Sequence, residues 1–597
     1  MPNPFDDPDA RFHVLVNDEG QRSLWPVGPP LPAGWTAVTE PLPRPDALRV
    51  VDEAWTDLRP ASLRVEHALR TFRAYPDDVA AAHRARGHWI GQTFTDLLDA
   101  AVERFGSRPA VIDGDRVLDY HGLDRAVRAL AERLADDGIR RGDRVVLFLP
   151  NVAEHPVAVF ALALLGALPV FALPAHRERE LADIATRSAA RAILTLGRPA
   201  DAADADYAGI AGRGAPAGVR VLLVASADLD APAPASRRES PARPDAVAFL
   251  QLSGGTTGGP KLIPRTHDDY LYSVRESAAI CGLDEHSVML VALPASHNFT
   301  MSSPGILGAI AVGACVVMCP APSPDIAFPL IERHGVTTVA LVPPLLIAWL
   351  DATHGERLRS LRTIQVGGAK LSEAVARRVR PELGCTLQQV FGMAEGLVNY
   401  TRLDDDEETI VTTQGRPISA DDEVRVVDDH DQPVPTGTPG HLLTRGPYTI
   451  RAYLADDAVN RSAFTADGFY RTGDLVSVDD RGYIRVVGRA KDQINRGGEK
   501  VAPEELENLL LGHPVVHDVS VVGVPDDTLG ERIAAYVIPR RDLEQAPRAI
   551  ELRRFLADRG VARFKLPDTI EFVAAFPTTG VGKVSKVRQR TPESAAR

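Results

Sequence analysis

Residues 247–261 read Val247-Ala248-Phe249-Leu250-Gln251-Leu252-Ser253-Gly254-Gly255-Thr256-Thr257-Gly258-Gly259-Pro260-Lys261. A short, mostly apolar strand runs into a loop of glycines and hydroxyl residues that ends on a lysine. Such a loop offers successive backbone N–H groups and hydroxyls that can wrap a polyphosphate, and Lys261 adds positive charge. It is not the G-x-x-x-x-G-K-[ST] loop that leads into a helix. A flexible surface loop of the same composition is the bland alternative. The strand directly before it favours phosphate.

Outward from this stretch, strand patterns alternate with helical ones. RVVLFLP (144–150), ACVVMCP (314–320) and TTVALVPP (337–344) each adjoin a helical run, which predicts an α/β domain with largely parallel sheets. The uncharged run from Val157 to Pro174 reaches membrane-spanning length. Gly166 and Pro169 divide it, so we read a buried helix followed by a buried strand. Residues 198–244, rich in Ala, Asp, Gly and Pro, read as a surface excursion carrying one short strand, Val219 to Ala225. Near residue 489 the character changes again. Helices over Pro503–Leu511 and Ala549–Arg559 alternate with strands in an α+β unit.

The 597 residues suggest about four folding units. With 45% apolar and 25% charged residues, disorder as the main state is excluded. Lys and Arg number 67 against 80 Asp and Glu, a net charge of −13 that argues against a nucleic-acid partner. Four cysteines exclude a disulfide scaffold. Cys315 and Cys319 have C-x3-C spacing without a second Cys/His pair, so we read all four as buried thiols of a reducing compartment. The acidic start, MPNPFDDPDA, lacks a signal-peptide core. These features predict a soluble, cytoplasmic protein with no membrane contact.

Further motifs extend the glycine-rich loop. Phe391-Gly392-Met393-Ala394-Glu395-Gly396, Tyr470-Arg471-Thr472-Gly473-Asp474-Leu475, Gly488-Arg489-Ala490-Lys491-Asp492, Arg496-Gly497-Gly498-Glu499-Lys500-Val501 and Pro577-Thr578-Thr579-Gly580-Val581-Gly582-Lys583-Val584-Ser585-Lys586 follow it in order. Together they resemble the adenylate-forming superfamily of acyl-CoA synthetases, luciferases and nonribosomal adenylation domains. The resemblance covers about 530 residues. It implies a multidomain α/β and α+β fold, with a large adenylate-forming core over 63–488 and a small mobile α+β domain over 489–597. It implies ATP bound by Ser253, Gly254, Gly255, Thr256, Thr257, Gly258, Lys261, Gly368, Ala369, Phe391, Gly392, Asp474 and Arg489. Mg²⁺ is expected on Glu395, the hinge at Lys491, and the catalytic groups are Lys583 and His297. The usual threonine of the Glu395 motif is Ala394 here.

The acid pocket points to one branch. Leu293-Pro294-Ala295-Ser296-His297-Asn298-Phe299 carries Asn298 where amino-acid-activating domains keep an aspartate for the ammonium group. An ammonium facing only an amide in a desolvated pocket would be poorly compensated. This stretch, with Ser302-Ser303-Pro304-Gly305 and residues 387–404, is similar to the aryl-acid ligases of siderophore assembly, a branch that shares the alanine at 394. The resemblance implies that Asn298, Phe299, Ser303, Gly368, Val390 and Val398 form the aryl-acid slot. Ser303 and Val398 resemble the 2,3-dihydroxybenzoate enzymes; salicylate or another substituted benzoate stays open. Thr300-Met301 replaces the Pro-Leu common there, a change expected at the pocket rim. The acyl acceptor implied is the phosphopantetheine thiol of a separate aryl carrier protein, with free CoA as the alternative.

The first 62 residues form a separate unit. Asn3-Pro4-Phe5-Asp6, Val14-Leu15-Val16-Asn17, Gln21, Ser23-Leu24-Trp25-Pro26, Pro32-Ala33-Gly34-Trp35 and Trp55-Thr56-Asp57-Leu58-Arg59-Pro60 resemble MbtH-like proteins, small partners of adenylation domains. The resemblance implies a small sheet-and-helix domain over 1–62. Ser23, Leu24, Trp25 and Trp35 would contact the adenylation domain of the same chain. An accessory domain with merely structural tryptophans is the alternative, and the fused unit reads equally as an active chaperone or a relic.

Overall fold

The computed structural model describes residues 10–17, 21–54, 72–197, 206–232, 234, 238–253, 260–353, 355–455, 457–496, 499–526, 529–540, 548–559, 561–578 and 584–590. Five sheets organise them, each drawn from a contiguous region or from interleaved segments of the large middle region.

Near the N terminus, strands Arg11–Asn17, Arg22–Pro26, Trp35–Ala37 and Leu42–Pro43 form an antiparallel sheet, followed by helix Arg44–Ala54. Phe12, Val14 and Ala47 form its small core, with Leu24, Leu42 and Val50 packed around them. All of these belong to the unit itself.

Two predominantly parallel sheets build the middle of the chain. In the six-stranded sheet, Arg220–Val224, Ala192–Leu196, Arg144–Phe148, Leu168–Phe171 and Val247–Leu252 run parallel, and Leu262–Thr266 closes the edge antiparallel. The nine-stranded sheet has a parallel interior that includes Val288–Val291, Thr338–Leu341, Thr363–Gly367 and Thr386–Met393, with antiparallel edge pairs. Parallel strands covered on both faces need continuous apolar runs, and Arg144–Phe148 and Cys315–Met318 are buried at every residue.

The run 157–174 divides as the sequence indicates. Helix Glu154–Leu165 is buried all round and ends on Gly166, whose φ of +66° makes the left-handed cap. Strand Leu168–Phe171 follows. Among the described residues no helix is long and apolar enough to cross a membrane. Cys281, Cys315, Cys319 and Cys385 are all buried; burial pushes the last three thiols up to about 12. The excursion over 198–244 also carries an eight-residue helix, Tyr207–Gly214, that composition did not reveal.

An antiparallel sheet of Glu423–Val427, Gly440–Arg445, Tyr470–Val478 and Ile484–Arg489 leads to a 3-10 turn at Ala490–Asp492. Beyond it a small α+β domain gathers strands Ile494–Arg496, Glu499–Val501, Val516–Asp526, Gly530–Pro539 and Thr569–Phe572. Helices Pro503–Leu511 and Ala549–Asp558 cover its core of Leu506, Leu510, Val521, Val537, Leu552 and Leu556. Helix Pro503–Leu511 meets helix Glu373–Leu383 and strand Ile484–Arg489 of the large domain.

Candidate active site

Strand Val247–Leu252 delivers Ser253 to the start of the glycine loop, and strand Leu262–Thr266 takes the chain back. The base of the loop is pinched shut. Ser253 N–H donates to Lys261 O, and Lys261 N–H donates to Ser253 Oγ, both at 3.0 Å. Gly254, Gly255, Thr256, Thr257 and Gly258 lie outside the described residues. Lys261 Nζ stands 4.6 Å from the ring centroid of Tyr453.

Tyr453 links Lys261 to Glu395. Its phenol donates to Glu395 Oε1 at 2.7 Å and lies 2.9 Å from the Tyr470 hydroxyl. Burial and the neighbouring carboxylate raise the Tyr453 pKa, so the phenol stays protonated and acts as donor. Glu395 itself is buried. Its loop is fixed from below by Arg265, which is 2% exposed and donates to Ala394 O at 2.8 Å, to Tyr448 O at 3.1 Å and to Asp269 Oδ1 at 2.8 Å. Gly396 at φ +121° lets this loop lie on the 448–449 backbone. A Cβ there would stand 2.1 Å from Tyr448 O, so only glycine fits.

Asp474 and Arg489 face each other across paired strands, and Arg489 Nε donates to Asp474 Oδ1 at 2.8 Å. Burial raises the Asp474 pKa and Arg489 opposes that shift. The Glu395 and Asp474 charges both act on Tyr470, so the two acidic groups share one neighbourhood.

The remaining expected residues sit at or just beyond the ends of strands Thr363–Gly367, Thr386–Met393 and Leu397–Tyr400 and on or beside helix Asn298–Ser302. Strand Thr363–Gly367 ends in Gly368 and Ala369, both exposed. A Cβ on Gly367 would stand 2.8 Å from Val390 O and 3.1 Å from Phe299, which shows how closely these surfaces meet. Phe391 is half-buried and Gly392 exposed. A Cβ on Gly392 would lie 3.3 Å from Val398, its partner in the next strand. Phe299, Val390, Val398 and Ser303 are buried, whereas His297 and Asn298 are half-buried at the start of helix Asn298–Ser302. His297 caps that helix, its Nδ1 accepting from Phe299 N–H at 3.2 Å, so the neutral ring carries its proton on Nε2. Asn298 Oδ1 accepts from Tyr270 Oη at 2.9 Å. Thr300, expected at the rim, is 5% exposed; the helix turns its side chain inward.

Lys583 lies outside the described residues. The ends of its loop meet in a bridge between Thr578 and Val584, and Ser585 N–H donates to Pro577 O at 2.7 Å. Lys586, the first residue of the short helix Lys586–Gln589 that follows the loop, pairs with Glu507 at 2.8 Å. Lys491 is exposed in the turn Ala490–Asp492. In the N-terminal sheet, Ser23, Trp25 and Trp35 share one face, because they pair with Leu15, His13 and Asn17. Leu24 is on the other face, packed in the unit's own core.

Tyr453, Tyr270 and Arg265 were not anticipated from the sequence. Only Arg265 left a trace there: an arginine in the strand Leu262-Ile263-Pro264-Arg265-Thr266 with an acid four residues on.

The donor set suits Mg²⁺ bound with nucleotide. Among the described residues no three acidic, His or Cys side chains converge. Mg²⁺ is commonly held by one or two carboxylates together with substrate phosphates and waters. Glu395, with Oε1 fixed by Tyr453, is such a carboxylate.

A model of AMP-binding enzymes matches residues 98–454, one of the AMP-binding enzyme C-terminal domain matches 505–583, and one of MbtH-like proteins matches 1–67. The chain is 52% identical over 527 residues to the 2,3-dihydroxybenzoate-AMP ligase of Bacillus subtilis, covering 87% of this chain and 97% of that one. It is 45% identical over 539 residues to the salicyl-AMP ligase / salicyl-S-ArCP synthetase of Mycobacterium tuberculosis, covering 87% and 94%. The apo structure of Mycobacterium smegmatis MbtA superposes with a TM-score of 0.66 at 44% identity, covering 88% of this chain and 99% of that one.

Proposed function

The chain belongs to the AMP-binding enzyme family and is an adenylate-forming ligase, and from that premise we propose that it activates 2,3-dihydroxybenzoate with ATP and passes the acyl group to a separate aryl carrier protein. The observation that carries this reading is the pairing of the Asn298 amide with an apolar wall of Phe299, Val390 and Val398. A flat, anionic, hydroxylated ring suits that wall, and an ammonium does not.

The substrate carboxylate is already a nucleophile. Its oxygen attacks the α-phosphorus of ATP, a new acyl–oxygen–phosphorus bond forms, and the bond to pyrophosphate breaks. No general base is needed, only positioning and charge neutralisation. Lys261 and the 253–258 loop would hold the phosphates, Asp474 and Arg489 the ribose, and Gly368, Ala369, Phe391 and Gly392 the nucleotide's approach to the acid. His297 would offer its Nε2–H to the carboxylate. Glu395 would hold Mg²⁺, which supplies positive charge to the phosphates when bound. Lys583 would reach the reacting atoms from the small domain, and rotation about Lys491 would then open the site to the phosphopantetheine thiol, whose sulfur displaces AMP.

We divide the chain into 1–62, 63–488 and 489–597 on this reading. The first unit would dock its Ser23, Trp25 and Trp35 face on the core of the same chain. Removing residues 1–62 and comparing soluble yield and rate tests whether that docking matters.

The deciding experiment is ATP–pyrophosphate exchange over a panel of benzoates and amino acids, followed by loading of a free carrier protein or CoA. Exchange with 2,3-dihydroxybenzoate and loading of the carrier are the expected results. Salicylate as the best acid would replace the substrate, and no exchange with any benzoate would overturn the reading.

A further inference from the structure

A cavity of about 10 Å³, the size of one water molecule, adjoins the aryl slot. Phe299 and Ser303 border it on the slot side, and Thr300 and Gln365 border it as well. Gln365 is fully buried, and Thr300 is 5% exposed. Each also carries a buried polar atom with no hydrogen-bond partner, Thr300 Oγ1 and Gln365 Oε1. Buried polar atoms in folded proteins are nearly always partnered. Two such atoms on residues that border one water-sized space point to a polar occupant.

The neighbouring amides decide which kind of occupant. Gln388 Nε2 donates to Thr401 O at 3.0 Å, so Gln388 turns its Oε1 to Gln365. Gln365 Nε2 donates to that oxygen at 2.9 Å and lies 3.0 Å from Cys281 Sγ. The unpartnered atom of Gln365 is therefore an acceptor. Thr300 Oγ1 is a hydroxyl that donates or accepts. A phenolic hydroxyl satisfies both at once: its O–H donates to Gln365 Oε1, and its oxygen accepts from Thr300. A methoxy group or a halogen has no proton for Gln365, and a carboxylate would set oxygen against oxygen.

We infer that Thr300 and Gln365 are specificity residues, forming a polar end to the slot that receives the ring hydroxyl directed at Ser303 and holds a water when the ring lacks one. The inference rests on the aryl-acid reading above and deepens it. It selects benzoates carrying a hydroxyl beyond the ortho position, and it explains why an inward threonine stands in the segment before Ser303.

The test measures kcat/KM in ATP–pyrophosphate exchange for 2,3-dihydroxybenzoate, salicylate and 3-methoxysalicylate. The wild-type chain, Thr300→Val and Gln365→Met are compared. The wild-type chain should favour the dihydroxy acid over both others. Each variant should lose about tenfold of the dihydroxybenzoate-to-salicylate ratio, mostly through KM for the dihydroxy acid. Continued salicylate turnover shows that the variant is folded. If Gln365→Met does not fold, Thr300→Val alone decides. A ratio unchanged from wild type, or an equal loss on both acids, overturns the inference while leaving aryl-acid activation standing. Absence of exchange with every benzoate in the wild-type chain overturns the functional reading itself.

Discussion

Tyr270 Oη donates its proton to Asn298 Oδ1 across 2.9 Å. The phenol is fully buried and its pKa is raised by that burial, so it has no competing ionised form. An amide whose oxygen is occupied has its two N–H donors left to offer. Asn298 therefore presents donors to the slot, which suits a carboxylate or an ortho oxygen and not an ortho amino group, whose N–H bonds would set donor against donor. Tyr270→Phe should raise KM for the aryl acid about tenfold with a smaller change in kcat. The same change should narrow the discrimination against 2-aminobenzoate, since the amide could then turn. Unchanged KM and unchanged discrimination would show that Asn298 is oriented by something else.

The ring of Tyr270 lies 4.8 Å from the Arg265 guanidinium, which in turn holds Ala394 O beside Glu395. The acid slot and the nucleotide cluster thus share one buried support. Removing one partner of a buried ion pair costs roughly 3–5 kcal/mol, whereas replacing both partners with apolar groups costs far less. Arg265→Met should lower the melting temperature sharply, and the double change with Asp269→Leu should recover much of it. Activity should not recover in the double variant, because Ala394 O and Tyr448 O remain without their donor. Recovery of both stability and rate together would refute a positioning role for Arg265.

Asp422 gives a pH prediction. Burial raises its carboxyl to about 7 from the ordinary 3.8, although Tyr448 donates to Oδ2 at 2.7 Å. Its Oδ1 is buried without a partner. The folded chain then keeps a proton that the unfolded chain releases above about pH 4. Its contribution to stability is fully present below that pH, falls as pH rises towards 7, and levels beyond. The span corresponds to a few kcal/mol, about 4 at most. Asp422→Asn removes the titration. Its unfolding midpoint relative to wild type should be higher at pH 8 than at pH 5, and a difference independent of pH would exclude Asp422 as the titrating group.

What could be read beforehand was mostly local. Apolar spacing located helix Pro503–Leu511, and Gly166 marked the break after helix Glu154–Leu165. Asp474 and Glu395 announce themselves through their glycine-flanked motifs. The supports were hidden because they come from distant segments: Arg265 reaches Ala394 and Tyr448, and Tyr75 reaches Thr449 O. No periodicity records such a contact. The inward turn of Thr300 was hidden for a related reason. A substitution against a family pattern names a position, but only the turn of helix Asn298–Ser302 shows which way its side chain faces.

Lys586 binds Glu507 at 2.8 Å and lies near Glu504 at 3.8 Å, on the helix that abuts strand Ile484–Arg489. The loop closed by Thr578 and Val584 is thereby tied to a helix at the seam between the domains. On the mechanism proposed above, Lys583 brings its charge to the phosphoryl oxygens from the loop that these contacts flank. Lys583→Ala should lower adenylation by roughly 10²–10³-fold, the scale for losing one electrostatic contact to the transition state. Thioester formation from supplied acyl-adenylate should proceed, since the proposed mechanism gives Lys583 no part in that step. Glu507→Gln should leave Lys583 present but its base loosened, with a smaller loss confined to adenylation. Equal losses in both half-reactions for Lys583→Ala would mean that the lysine serves the fold and not the phosphoryl transfer.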